Sequence, residues 1–353
     1  MTHSRPDPAP VQTAAELPAR TGGPQEVSRL SRSPRIAVDL LGGDGAPAVV
    51  VDGALLALES DPDLALLLVG PRSVADEIRR GLDPVVRDRV DVLSAQHGVA
   101  MTDPVARGAD PQTSIGAAMH GLAGDRADAV VSAGASGAIV AAAVMGLRRL
   151  PGVRRPALTA ILPGAQGPLV LLDVGAGMQV NPVELVQHAV LGAAYARLVA
   201  GIDQPRVGLL SVGHEPGKGD KLRRAADAAL RVHAMAGAAY VGLVEGHDVV
   251  LGTRANVIVT DGFTGNVLLK GIEAALGTAA TTYLETYAPP TAVPRAAALL
   301  GVAGTVVVCH GAATAPDLAS GIGLATRLVR ADVAQQLALP ARDAPDRLAE
   351  VPT

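Results

Sequence analysis

Short apolar runs alternate with longer Ala- and Leu-rich stretches along almost the whole chain. This alternation constrains the fold more than any single motif. Runs of four to eight residues bounded by turn formers read as buried strands. Candidates are Arg35–Leu40, Leu64–Val69, Val90–Leu93, Ala129–Val131, Ala157–Leu162, Leu169–Val174, Arg206–Val212, Val257–Thr260 and Thr305–Val308. Pro47–Glu59, Val74–Arg80, Gly137–Arg148, Pro182–Val199, Lys221–Val232, Gly265–Tyr287 and a last stretch from about Leu318 to Leu337 read as helices. Strands and helices in turn predict an α/β fold, with a mainly parallel sheet covered on both faces. Pro163–Pro168 reads as a turn, and Pro289-Pro290 ends a helix by removing a backbone donor. Residues 1–34, rich in Pro, Ser and charge, predict a disordered extension; 35–338 form the folded domain, and 339–353 a flexible tail.

Composition removes several function classes. The formal charge is -4, aromatic residues make up 1% of the chain and Trp is absent. The sequence therefore offers neither the basic footprint nor the stacking platforms of a nucleic-acid binder. The single cysteine, Cys309, ends the run Thr305-Val306-Val307-Val308 and reads as a small buried hydrophobe. The histidines are scattered, with no H-x-x-x-H or H-E-x-x-H spacing, so no metal site is expected. Ala129–Leu147 carries no charge and is long enough to suggest a membrane span. Its Gly/Ser cluster at Ser132–Gly137 instead divides it into a strand, a turn and an Ala-rich helix. The N-terminal segment lacks the apolar core of a secretory signal.

Five Gly-rich segments fall where strands should give way to helices, the positions at which α/β sheets collect ligands. Gly42 and Gly43 permit close backbone approach, and the neighbouring Asp44 can orient a ligand, act as a base or cap the next helix. This segment is not G-x-G-x-x-G, which counts against a dinucleotide site. In the second segment, which holds Ser132, Gly134, Ser136 and Gly137, backbone amides can face an anion at the N-terminus of the next helix, or the segment forms an ordinary tight turn. Asp173 ends a strand, as an active-site carboxylate or an acceptor for loop amides. Lys218, between Gly217 and Gly219, combines a mobile cation with accessible backbone donors, as phosphate binding requires, although the spacing is not that of a P-loop. His214, in the same segment, can shuttle a proton or stand solvated. Finally, Asp261, Thr264, Gly265 and Asn266 open a helix that carries Lys270 one turn on, and the chain's only phenylalanine, Phe263, sits among them.

The order of these segments resembles the phosphate acyltransferase PlsX family. It runs Leu41-Gly42-Gly43-Asp44, Ser132-Ala133-Gly134, Leu172–Ala176, Gly213–Gly219, Asp261–Asn266 and His310-Gly311. Arg155–Leu158, Glu184–Gln187, Val244–Gly246 and Leu299–Val302 continue the resemblance over roughly Ile36 to Leu328. It implies a homodimeric, Rossmann-like three-layer α/β/α enzyme related to phosphotransacetylases. Such an enzyme moves a fatty-acyl group from acyl-carrier protein to inorganic phosphate for phospholipid synthesis, without a cofactor. Lys218, Lys270 and the turn amides would then stabilise charge, while Asp44, Asp173 and Asp261 would orient groups or move protons. An acyl-CoA donor, a specialised carrier, or a silent protein that binds carrier or phosphate are the alternatives. The sequence departs from the family pattern at Gly45, Ala135, Gly177 and His214, each time changing or removing a polar side chain near the expected site. Gly271 to Arg295 is short and lacks a basic amphipathic face, so membrane attachment is expected to be weak or absent. The expected location is the cytoplasm, peripheral to the membrane at most.

Overall fold

The computed structural model describes residues 33–283 and 296–343, which fall in one compact unit. The chain begins β1 (Arg35–Asp39), α1 (Ala48–Ser60), β2 (Ala65–Gly70), α2 (Arg72–Gly81), α3 (Pro84–Arg87) and β3 (Val90–Ser94). After a 3-10 turn at Val105–Ala109 come α4 (Ser114–Ala123), β4 (Ala129–Ser132), α5 (Ser136–Leu147), β5 (Ala157–Gly164), β6 (Gly167–Leu172) and α6 (Pro182–Val199). Next are β7 (Arg206–Leu210), α7 (Lys221–Val232), β8 (Ala239–Val244), α8 (Gly246–Leu251), β9 (Val257–Val259) and α9 (Gly262–Tyr283). β10 (Ala296–Leu300), β11 (Thr305–Cys309), α10 (Ala315–Arg330), α11 (Val333–Gln336) and α12 (Ala338–Asp343) complete it.

All eleven strands join one sheet, in the order β3-β2-β1-β4-β11-β10-β5-β6-β9-β7-β8. Its two flanks are parallel, as the alternation predicts: β3, β2, β1, β4 and β11 on one side, β6, β9, β7 and β8 on the other. The centre is not. β10 runs antiparallel to both β11 and β5, and β5 forms an antiparallel hairpin with β6. The second flank therefore runs opposite to the first. Cys309, at the end of β11, lies level with Ala296 at the start of β10, whereas Leu172, at the end of β6, lies level with Thr159 near the start of β5. The carboxyl ends of the two flanks thus open at opposite edges of the shared sheet.

Side chains alternate across the strands and build a core on each face. Ile36, Val38, Val131, Leu172 and Val259 pack with Leu185, Tyr195, Leu230 and Ile322 from α6, α7 and α10. Ala37, Val130, Leu171 and Ile258 pack with Ile115, Ile139, Ala142 and Val249 from α4, α5 and α8, joined by Leu268, Leu269 and Ile272 of α9. Ala129–Leu147 divides into β4 and α5 as expected, and among the described residues no helix is long and apolar enough to cross a membrane.

Two local expectations change. The helix expected to reach Leu337 stops at Arg330, because Asp332 takes a left-handed backbone (φ 49°) and the chain restarts as α11. The tail expected from 339 still carries most of α12, whose Ala341 is fully buried. Residues 284–287, expected as the end of α9, lie outside the described residues, as does most of the extension over 1–34. Cys309 is buried, as its reading as a small hydrophobe predicts, and burial pushes its thiol up to about 12.

Candidate active site

The five segments collect into two groups, one at each edge. At the carboxyl ends of β1, β4 and β11, the buried Asp39 accepts from Ser132 Oγ (2.7 Å) and from the Leu41 amide (3.1 Å). Ser132 Oγ in turn accepts the Gly134 amide at 3.1 Å, so this hydroxyl is committed to holding the turn. Burial pushes the Asp39 carboxyl above its ordinary value, against the opposing pull of these hydrogen bonds. Gly42 must be glycine, since a Cβ would stand 2.7 Å from Ser132 Oγ and 2.8 Å from the Gly134 nitrogen. Asp44 is exposed and its amide donates to the Gly311 carbonyl at 2.8 Å. It does not cap α1, whose N-cap position is Pro47. Ser136 and Gly137 open α5, where Ala135 at the N-cap offers no side-chain acceptor.

The second group lies at the carboxyl ends of β6, β7 and β9, and is tied together more closely. Asp173 is fully buried, and its carboxylate accepts four backbone amides. Oδ1 takes Leu158 (2.9 Å), Gly175 (3.0 Å) and Ala176 (2.9 Å), and Oδ2 takes Gly177 (2.6 Å). Of the two readings open for this residue, the geometry is that of a loop organiser. The loop it shapes meets the head of α9. The Gly262 amide donates to the Gly177 carbonyl at 2.8 Å, and Asn266 Nδ2 donates to the Val174 carbonyl at 3.0 Å. Gly265 packs so tightly on the Asp173 carbonyl that any Cβ there would overlap it.

Asp261 stands at the head of α9. Its Oδ1 accepts the Thr264 amide (2.9 Å) and its Oδ2 the Thr264 hydroxyl (2.8 Å), so it serves as the helix cap. Its remaining partner is Arg223 of α7, whose Nη2 donates to Oδ2. Burial pushes the Asp261 carboxyl up, but Thr264 and Arg223 together outweigh it and hold it below the usual 3.8. Arg223 and its bonds were not among the expected site residues. The signal was present: a cation in the first turn of α7 opposes the helix dipole and needs a compensating anion.

Lys218 lies in the turn before α7, with Gly217 and Gly219 both at positive φ (86° and 89°). Its ammonium is half exposed and 4.0 Å from Glu215 Oε2. Lys270 is exposed one turn beyond Asn266. Two family departures have local explanations. A side chain at Gly177 would place its Cβ 2.6 Å from Cδ of Arg155, and Arg155 pairs with Glu184 at 3.5 Å. His214 Nδ1 lies 3.0 Å from Glu245 Oε1, tying the Lys218 turn to the end of β8. Among the described residues, no group of His, Cys, Asp and Glu is placed to hold a metal ion.

A helix-covered α/β sheet with two opposed parallel flanks, each gathering its own cluster of loops at one edge, is the class that this fold defines. Solved structures share the fold. A phosphotransacetylase from Streptococcus pyogenes aligns with a TM-score of 0.54 at 16% identity, over 86% of this chain and 96% of its own. The EutD phosphotransacetylase from Staphylococcus aureus aligns with a TM-score of 0.51 at 16% identity, over 88% and 98%. Sequence relatives are nearer. The family model described as "Fatty acid synthesis protein" matches residues 34–286. Phosphate acyltransferases from Thermobifida fusca and Salinibacter ruber are 39% and 37% identical, each over 86% of this chain and over 90% and 96% of their own lengths. The chain belongs to this family, the PlsX phosphate acyltransferases, and is an acyltransferase.

Proposed function

We propose that the protein transfers a fatty-acyl group from an acyl-carrier-protein thioester to inorganic phosphate, at the edge built by the Lys218 turn and the head of α9. The observation that carries this placement is the convergence there of three loops, after β6, β7 and β9. They are held together by Asp173 and by the Arg223–Asp261 pair, with Lys218 left half exposed. An oxygen of hydrogen phosphate attacks the thioester carbonyl carbon, the carbon–sulfur bond breaks, and the proton that the phosphate gives up passes to the sulfur, so that the carrier leaves as its thiol. Phosphate itself is the nucleophile, so no covalent enzyme intermediate and no strong base are needed. The site's work is to hold a dianion beside the carbonyl and to stabilise the oxyanion that forms.

Lys218, with its flexible stem between two turn glycines, supplies the point charge for phosphate. Lys270 lies where it can serve the oxyanion, whereas the Thr264 and Gly265 amides are already engaged with Asp261. Asp173 and Asp261 orient these groups, because their oxygens are already engaged with loop amides, Thr264 and Arg223. Phe263 and Val267 are 63% and 58% exposed and lie one helical turn apart, near Asn266 and Lys270. A polar head beside an apolar stripe suits a substrate with an anionic centre and a hydrocarbon chain. At the other edge, Asp39 and Ser132 maintain the Gly42–Gly43 turn, leaving Asp44 as its exposed acid.

The family resemblance supports a homodimer acting in the cytoplasm, peripheral to the membrane at most, with no cofactor. Donor choice is tested by comparing kcat/KM for one acyl chain on carrier protein and on CoA. At least about a tenfold preference for the carrier is expected. Equal or better use of CoA contradicts the carrier assignment, and thioester cleavage that ignores phosphate contradicts the acyl transfer itself.

A further inference from the structure

Arg223 joins two segments that meet nowhere in the sequence. Its side chain is 13% exposed and extends between the carboxylates of Asp220 and Asp261. Nη1 donates to Asp220 Oδ2 at 2.7 Å, and Asp220 caps α7 by accepting the Arg223 amide at 2.8 Å. Nη2 reaches Asp261 and also lies 3.2 Å from Thr264 Oγ1 and 3.4 Å from Thr260 Oγ1. One end of the fork thus holds the residue next to the Lys218-Gly219 turn, and the other holds the head of α9. Its stem packs under that turn, with Cβ 2.8 Å from where a Gly219 side chain would begin.

Helix stability does not explain a guanidinium at this position. Arg223 sits three residues after the N-cap, where the helix dipole disfavours a positive charge. Lysine would not reproduce the arrangement, since a single ammonium lacks the planar fork that addresses two carboxylates at once.

We propose that Arg223 is a positioning residue that locks the Lys218 turn to the N-terminus of α9, fixing the separation between the phosphate-binding cation and the Thr264–Asn266 head. It does not touch the reacting atoms. It acts through Asp220 on one side and Asp261 on the other. The functional consequence rests on the reading of the Lys218 turn as the phosphate site, whereas the clamp itself is a property of the fold.

The test uses the full-length protein with Arg223→Met, Arg223→Lys, Asp261→Asn and the Arg223→Met/Asp261→Asn double variant. Steady-state kinetics with acyl-carrier protein and phosphate give one readout, and native-state amide exchange gives a second that needs no activity. Arg223→Met should raise KM for phosphate by about tenfold while moving KM for the acyl donor less than about twofold. Arg223→Lys, the variant more tolerant of folding, should fall between it and wild type. The double variant should be no worse than its worse parent, because both substitutions break the same link. Amides of Gly213–Gly219 and Thr260–Asn266 should exchange faster together in Arg223→Met, with the β7 amides unchanged. Additive losses, equal rises in both KM values, or unchanged exchange in the two segments would each overturn the clamp. If wild type shows no phosphate-dependent transfer, the reaction reading fails instead, and the exchange result still decides whether the clamp exists.

Discussion

Asp173→Asn separates an organising carboxylate from a catalytic one. The amide keeps an oxygen in the place of Oδ1, which accepts Leu158, Gly175 and Ala176, but sets an NH2 donor against the Gly177 amide now bonded to Oδ2. One buried N–H then loses its acceptor, at a cost of about 1–3 kcal/mol. The other three bonds lose their charge assistance, which roughly halves each. Relief from burying a carboxylate offsets part of this, leaving a net loss of about 2–4 kcal/mol. In a chain of this size that lowers the midpoint of thermal unfolding by roughly 3–6 °C. Differential scanning calorimetry beside steady-state kinetics provides the assay. The variant should lose stability and activity together, because the Gly175–Gly177 loop also receives the head of α9 through the Gly262 amide. An unfolding midpoint within about 1 °C of wild type, with kcat reduced a hundredfold, would refute the reasoning and place Asp173 among the groups that move protons.

Three further outcomes follow from the same contacts. Gly265→Ala forces a methyl group into the Asp173 carbonyl oxygen and should cost about 3 kcal/mol or more in urea unfolding; a loss below about 1 kcal/mol would contradict the close packing. Phe263→Ala should leave stability within about 0.5 kcal/mol, because the ring is 63% exposed, yet raise KM more for long-chain than for short-chain donors; an equal effect on both would remove Phe263 from the acyl path. Because the folded state holds Asp261 below 3.8, its contribution to stability is complete above that value and is lost as pH falls through the folded value. Asp261→Asn should therefore flatten the acid side of the stability curve below about pH 5, and an unchanged slope would contradict the ion pair.

Much of the parallel flanks was legible because buried β-branched runs and Ala-rich helices carry different periods. Strand direction was not, since an apolar run such as Leu169–Leu172 reads the same whichever way it points. The available clue was the connection: only six residues separate Leu162 from Leu169, enough for a hairpin and too few for a crossover. β10, written Ala-Ala-Ala-Leu-Leu, has helix-forming letters and becomes a strand only because β5 and β11 pair with it on both sides. At the site, glycine spacing revealed the loops but not their partition between two edges, which depends on the reversal at β5 and β6. Arg223 was hidden in the run Lys221-Leu222-Arg223-Arg224, which resembles a solvated helix face until its two carboxylate partners are seen.

Transfer to phosphate is the central claim, and hydroxylamine trapping tests it most directly. Purified protein, long-chain acyl-carrier protein and inorganic phosphate should yield acyl hydroxamate and free carrier thiol in equal amounts, at a rate that saturates with phosphate. Lys218→Ala should slow this at least about tenfold, roughly 1.4 kcal/mol of barrier, while the protein remains folded. Carrier thiol released at the same rate with and without phosphate, or no hydroxamate at any phosphate concentration, would contradict the account.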